Sequence, residues 1–339
     1  MTGPALWFVV PAGFDEHERV SGGNVYDLRV IAELRSLGED VRIAEAPSGA
    51  NPFEGIPDGA LAVVDGLVAV RESAQFSAAA ERLRLVALVH MLVTAFAHPD
   101  KDMVDGERRV LPRARHVVAT SAWLRDEIAS RRLAAPERIS VSTPGSDAAP
   151  LAPGSAEGSS LLCVGVVASH KGQDTLIEAL GSLDPDRQWT CTFAGSMVTE
   201  PGFAARVTAK AAGTGLTHRI TWAGVLETEE LHDTYTRTDV LVAPSRTESY
   251  GIAVGEALRR GIPVIASDVG GIREAAQPEE AVILVRPDDP AALGEALRHW
   301  LEGSEMRRSM RNAARRAAPD RRSWSDTAHD VHAVLAGLP

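Results

Sequence analysis

Pro244–Ala275 reads PSRTESYGIAVGEALRRGIPVIASDVGGIREA. It follows an apolar run, VLVAPS at 240–245, that ends in Pro-Ser, and it contains a second such run, PVIASD at 263–268. Between them a helix is expected to begin near Ser249–Gly251 and to stop at Gly261, with Pro263 just beyond. Strand, helix and strand in that order make one βαβ unit of a parallel sheet. A helix N-terminus presents unpaired N–H groups and the positive end of the helix dipole, and a glycine there admits a phosphate closely, so Ser249, Tyr250 and Gly251 are candidates for a diphosphate cradle. Glu248 precedes the helix and Glu256 lies within it. One carboxylate can accept hydrogen bonds from sugar hydroxyls and the other from a ribose diol. The plainer reading makes Glu248 a helix-terminal charge favoured by the dipole and Glu256 a solvated helix residue.

The alternation extends through the chain in both directions. The first 145 residues hold apolar runs at 5–11, 41–46, 60–66, 83–90, 116–121 and 138–145, separated by helix-like stretches. A second set lies at 161–167, 189–195, 219–224, 240–245, 263–268 and 281–287. Runs apolar at nearly every position suit parallel strands covered by helices on both faces. Between the sets lies DAAPLAPGSAEGSS, 147–160, which offers almost nothing to bury and reads as a linker. Two doubly wound α/β domains are therefore expected: residues 1–147, a linker at 148–160, residues 161–322, and a terminal helix at 323–339. In such domains ligands collect beyond the carboxyl ends of the strands.

Composition narrows the function. A 45% hydrophobic fraction with 29 Gly and 20 Pro in 339 residues is globular and excludes collagen-like or disordered classes. The net charge of −11 argues against nucleic acid as a partner. The longest apolar stretch, Leu85–Ala97, is interrupted by His90 and falls short of the ~20 residues a membrane-spanning helix needs. MTGPALWFVVP lacks the basic region and cleavage site of a signal peptide, so a cytoplasmic protein is expected. Cys163 and Cys191 each fall inside an expected strand, so both should be buried and reduced. The histidines show no metal-ligand spacing, His329 and His332 lacking an evident third ligand, and no metal is expected. Seven arginines between 307 and 322 are expected on a solvated helix face.

The order Pro-Ser-x-x-Glu, Glu256, Gly-x-Pro-Val and Asp-x-Gly-Gly-x-x-Glu, the last comprising Gly270, Gly271 and Glu274, resembles the retaining nucleotide-sugar glycosyltransferases of family four. That resemblance implies a GT-B fold: two facing Rossmann-like domains, a cleft between them, and a C-terminal helix that crosses back to the N-terminal domain with an aromatic residue, here Trp324, near its start. It also assigns residues. Gly22 and Gly23 match an N-terminal glycine pair that approaches the donor phosphates. His90 matches a histidine near the transferred sugar. Gly165 and Lys171-Gly172 match an element whose lysine pairs with the diphosphate, and Gly270 and Gly271 match the last donor loop. Glu248 is implied at the sugar and Glu256 at the ribose. His90, Lys171 and Glu248 are the residues implied in the reaction itself. Departures are Val166, where many relatives carry a diphosphate-binding arginine, and Pro144-Gly145-Ser146-Asp147, where many read Asn-Gly-Val-Asp. Arg246 is a candidate replacement cation.

The resemblance implies transfer of a sugar from a nucleoside-diphosphate donor to a small soluble acceptor, with no cofactor. Two readings stay open beside it: a catalytically silent nucleotide-sugar-binding regulator, kept alive by Val166, and a nucleotide-sugar epimerase of the same architecture. A nicotinamide dehydrogenase is disfavoured, because VSGGNVYD lacks Gly-x-Gly-x-x-Gly.

Overall fold

The computed structural model describes residues 5–338; residues 1–4 and 339, the outermost positions of the expected first and last segments, lie outside the described residues. All twelve expected runs form strands. In chain order they are β1 Leu6–Pro11, β2 Val41–Ala46, β3 Leu61–Asp65, β4 Arg84–Val89, β5 His116–Ala119, β6 Ile139–Val141, β7 Ser160–Val164, β8 Thr190–Ala194, β9 Ile220–Gly224, β10 Val240–Ala243, β11 Val264–Ser267 and β12 Val282–Val285. They build two six-stranded sheets, β2-β1-β3-β4-β5-β6 and β12-β11-β10-β7-β8-β9, and the pairings between neighbouring strands are parallel. Among the described residues no helix is long and apolar enough to cross a membrane.

The chain divides into two compact units. One holds the residues up to Glu16, Gly22–Gly145 and everything from Arg322 on; the other holds His17–Ser21 and Ser146–Arg321. In the first unit the strand order reverses between β1 and β3, and in the second between β7 and β10. At such a reversal the loops leaving adjacent strands diverge to opposite faces and open a crevice. Gly22, Asp65 and His90 follow or end β1, β3 and β4, whereas Gly165 and Pro244-Ser245 follow β7 and β10. The candidate residues therefore gather at the two reversals.

Within the first unit the terminal helix Trp324–Ala336 packs on helix Gly22–Ser36. Trp324, buried, meets the Tyr26 ring edge to face with centroids 5.8 Å apart. The run expected at 138–145 pairs only as far as Val141. Beyond it the segment docks on the terminal helix: Ser142 Oγ donates to Thr327 O at 3.0 Å, and Thr327 Oγ1 donates to Thr143 O at 2.9 Å. The second of these bonds satisfies a carbonyl, Thr143 O, that a longer strand would have given to the sheet.

In the second unit the arginine-rich helix, Ser304–Ala317, is not the solvated face expected. Arg307, Arg311 and Arg315 stand four residues apart and so form one stripe. Arg307 Nη2 donates to Ala156 O at 2.8 Å, and Arg315 Nη2 donates to both Ala152 O and Pro153 O at 2.8 Å. Arg311 pairs with Asp239, whose carboxylate also accepts from Ser155 Oγ at 2.7 Å. Trp300 Nε1 completes the strap on Gly158 O at 2.7 Å. Segment 146–159 has no helix or strand, yet the carbonyls of Ala152, Pro153 and Ala156 are satisfied by this stripe, and Ala152 is buried. Cys163 and Cys191 are buried free thiols on β7 and β8, and burial pushes the Cys163 thiol up to about 12.

Glycines let the site loops of the second unit cross. At Gly172, φ +68°, a Cβ would lie 2.1 Å from Pro244 O, and at Gly195, φ +147°, 2.1 Å from Gly165 O. At Gly270, φ +57°, it would lie 1.8 Å from Glu248 O, and at Gly271 1.9 Å from Ser249 O. The loops after β7, β8, β10 and β11 therefore touch backbone to backbone, which no larger residue permits. Gly270→Ala is expected to cost about 1–3 kcal/mol from the left-handed conformation and the forced displacement of the 248–249 backbone; a denaturant midpoint equal to wild type would contradict the crossing. Trp324→Ala should cost about 3–5 kcal/mol as a buried aromatic truncation, read by the same measurement, and a loss within error of zero would contradict the docking described for the terminal helix.

Candidate functional site

In the second unit Lys171 ends a single 3-10 turn after β7, and its methylenes run past Gly165, where an added Cβ would meet them at 3.7 Å. Its Nζ donates to Glu248 Oε2 at 2.5 Å. Ser245 Oγ donates to the same oxygen at 3.4 Å. Both side chains are partly open, 23% and 14% exposed, so the pair faces an accessible edge. The preceding residue, His170, holds the loop through its backbone: its carbonyl accepts from Arg246 N at 2.8 Å and Thr247 N at 3.3 Å. Burial, and then the Lys171 charge, push the His170 imidazole down to about 4, which keeps it neutral near neutral pH.

Ser249, Tyr250 and Gly251 lead into helix Ile252–Arg259, with Gly251 as its N-cap at φ +101°. The helix thus starts one residue after the expected Ser249–Gly251. Tyr250 is buried in the core of this unit, and a Cβ on Gly251 would strike Ile272 Cδ1 at 2.8 Å. Glu256 lies in the second turn. Its Oε2 accepts from Tyr235 Oη at 2.8 Å, and Arg260 stacks over the Tyr235 ring at 4.4 Å. Burial and then the Glu256 charge raise the Tyr235 phenol well above its ordinary range, so it remains a donor that fixes the carboxylate.

Arg246 is placed differently from its neighbours. Its guanidinium holds Asp174 through two bonds of 2.8 and 2.9 Å, Asp288 at 2.8 Å and Ser169 O at 2.7 Å. The hydrogen bonding of the guanidinium to Asp174 leads the interactions that raise its pKa further above an already basic value. In this geometry it ties the loop after β10 to the helix after Lys171 and to the loop after β12. Val166 shows only its backbone to the neighbouring network, its carbonyl accepting from Gln173 Nε2 at 2.8 Å.

The first unit carries a second cluster. Helix Gly22–Ser36 opens with the glycine pair, and Gly23 and Asp27 share one face, four residues apart. His90 lies on that face. A Cβ on Gly23 would come within 3.1 Å of His90 Cδ2 and 3.3 Å of Cγ. His90 Nε2 is 2.9 Å from Asp27 Oδ1 and 3.5 Å from Asp65 Oδ2. Asp65 is fixed as the N-cap of helix Gly66–Arg71, its Oδ1 accepting from Val68 N at 2.9 Å. Burial, and then the Asp27 charge, raise the Asp65 carboxyl to about 6, with His90 opposing. For His90 burial disfavours the charged ring, but the charge and hydrogen bond of Asp27, together with Asp65, outweigh it and raise the pKa. One ligand-type atom from each of Asp27, Asp65 and His90 lies within 4.8 Å of the others, the sole three-residue group of that kind found among the described residues. Neither aspartate was anticipated; the only sequence signal is Asp27 one turn after Gly23.

The family described as Glycosyl transferases group 1 matches residues 155–317. Curated relatives include D-inositol 3-phosphate glycosyltransferases of Jonesia denitrificans, 29% identical over 248 residues, and of Frankia alni, 30% identical over 247 residues. These matches cover 68% and 67% of this chain, and the chain spans 58% and 60% of those relatives' lengths. Similar solved structures include a sucrose-phosphate synthase from Thermosynechococcus elongatus, TM-score 0.83 at 20% identity with 99% of each chain covered. Another is Anabaena Alr3699/HepE in complex with UDP and glucose, TM-score 0.76 at 17% identity, covering 99% of this chain and 100% of that one. Lys171, Glu248, Glu256 and the glycine crossings all fall inside the matched segment. Residues 155–317 are thus a glycosyl transferases group 1 domain, in a chain built as two Rossmann-like halves on the GT-B glycosyltransferase fold.

Proposed function

We propose that this chain is a retaining glycosyltransferase that moves a sugar from a nucleoside-diphosphate donor to a small soluble acceptor. The observation that carries the reading is the Lys171–Glu248 contact at 2.5 Å, one cation and one carboxylate on glycine-crossed loops at a sheet reversal. In the transfer, the bond from the sugar's C1 to the diphosphate oxygen breaks with its electron pair leaving on the diphosphate. The acceptor oxygen bonds to C1, and its proton passes to the leaving group. Negative charge grows on the diphosphate, so Lys171 and the N–H groups of Ser249, Tyr250 and Gly251 stabilise the transition state more than the bound donor. No metal or cofactor is needed in this reading. Glu248 then accepts hydrogen bonds from the sugar and Glu256, oriented by Tyr235, from the ribose. Gly22, Gly23 and His90 keep the roles that the resemblance implies, and Gly165, Gly270 and Gly271 keep the second unit's loops in place. Arg246 acts through its hold on Asp174 and Asp288.

The names of the curated relatives make a phosphorylated cyclitol the first acceptor to try. Uridine, guanosine and adenosine diphosphate sugars should be screened as donors by thermal shift, since a ligand that binds the folded state raises its stability.

Lys171→Ala should lower turnover by roughly 10- to 100-fold, the value of about 1.5–3 kcal/mol for hydrogen bonds to a charged group; near wild-type turnover with a verified donor would overturn its role. Glu256→Ala should weaken every sugar on one nucleotide alike, whereas Glu248→Ala should reorder the sugars, both read by calorimetry. Binding without release of nucleoside diphosphate, with or without acceptor, would favour the silent regulator that Val166 leaves open.

A further inference from the structure

His90 is held in a way that nothing in the transfer chemistry by itself requires. Its Cγ–Cδ2 edge lies over Gly23, its Nε2 meets Asp27 Oδ1 at 2.9 Å, and Asp65 Oδ2 approaches the same nitrogen at 3.5 Å. Asp27 is fully buried and its Oδ2 has no hydrogen-bond partner. A buried carboxylate with one oxygen unpaired is costly unless a charge beside it compensates. The groups facing the ring are Asp27 and Tyr26 from helix Gly22–Ser36 and Asp65 from the end of β3, while Thr120 beyond β5 donates through Oγ1 to the backbone His90 O at 3.4 Å. Behind Tyr26 stand Arg322 and Asp330, which pair with each other. Tyr26 itself donates to Ser142 O at 3.0 Å, so its hydroxyl is turned to Ser142. The compensating charge nearest to both aspartates is therefore the imidazole.

In an imidazole ring Nδ1 lies on the edge opposite Cδ2. With Cδ2 against Gly23 and Nε2 on Asp27, Nδ1 is on the edge turned away from the glycine helix, and the side chain keeps 17% exposure. We propose that Asp27 and Asp65 are positioning residues that hold His90 doubly protonated, with Nε2–H fixed on Asp27 and Nδ1–H turned outward as a free donor. A neutral histidine locked to Asp27 would keep its proton on Nε2 and present a bare Nδ1, which accepts a hydrogen bond but cannot donate one. The second aspartate distinguishes the two states, since it adds negative charge at Nε2 that one neutral N–H does not need. The raised pKa of His90 agrees with this arrangement. What His90 contributes to transfer rests on the function proposed above; its protonation does not.

The test begins with the unaltered protein. Nitrogen-15 labelling of histidine, with His90→Gln to assign the signal, reports whether each ring nitrogen carries a proton across a pH titration. The expected result is an imidazolium that persists above the ordinary histidine value of about 6.5. Asp27→Asn should move that titration to lower pH, and Asp65→Asn should move it the same way. A neutral Nε2–H ring in the wild type below pH ~6.5 would overturn the proposal. So would an unshifted titration in folded Asp27→Asn, or displacement of the ring proton by Mg2+ or Zn2+, which would make the three side chains a metal site. In the transfer assay, Asp27→Asn should move the alkaline limb of the kcat/KM profile to lower pH while leaving the acid side within roughly threefold of wild type, about 0.7 kcal/mol. A uniform loss at every pH is the mark of a purely structural role and would also overturn the proposal. If no nucleotide sugar is turned over, the donor reading fails while the nitrogen shifts still decide the state of His90.

Discussion

The contact on which the second unit's site depends is the one between Lys171 and Glu248. A cation and a carboxylate 2.5 Å apart on separate loops would ordinarily be a weak surface pair, because two flexible side chains lose freedom to meet. Here the loops are already fixed. Gly172 lies on Pro244 O, Gly270 on Glu248 O and Gly271 on Ser249 O, so the backbone carries both side chains to one point before they pair. Arg246 adds a second tie by joining Asp174 and Asp288 to the same loop. The pair is thereby preorganised; in the proposed reaction, a diphosphate that draws Lys171 away from Glu248 meets a cation already in place and frees a carboxylate for hydroxyl groups.

The first unit applies the same logic with buried charge. Its sheet reversal brings Asp65 and His90 to neighbouring strand ends, and the glycine pair lets helix Gly22–Ser36 approach until Asp27 reaches the imidazole. A residue larger than glycine at position 23 would press on the ring. Glycines thus serve close approach in both units, but in the first they admit a side chain and in the second another backbone.

Much of this was readable before any coordinates. Parallel strands covered on both faces are apolar throughout, so all twelve stood out as runs, and the Pro-Ser, Gly-x-Pro and Gly-Gly signals located the loops. Lys171, Glu248, Gly251 and Gly270 were legible because each lies in a loop or turn leaving the carboxyl end of β7, β10 or β11. What escaped were pairings between distant positions. Asp27 and His90 are 63 residues apart, and Asp174, Arg246 and Asp288 meet only where a helix start and two loops converge. No local period encodes such meetings. The arginine stripe is the exception: Arg307, Arg311 and Arg315 repeat at helical spacing, but nothing in the sequence tells whether such a stripe faces water or, as here, the carbonyls of segment 146–159.

The central claim is that the diphosphate of a nucleotide donor binds at Lys171 and the loop before helix Ile252–Arg259. A crystal structure with bound uridine, guanosine or adenosine diphosphate tests it most directly. The account predicts diphosphate oxygens within about 3.2 Å of Lys171 Nζ and of backbone nitrogens in 249–251, with the Lys171–Glu248 contact opened. A nucleotide seated elsewhere, with Lys171 still on Glu248, would contradict it.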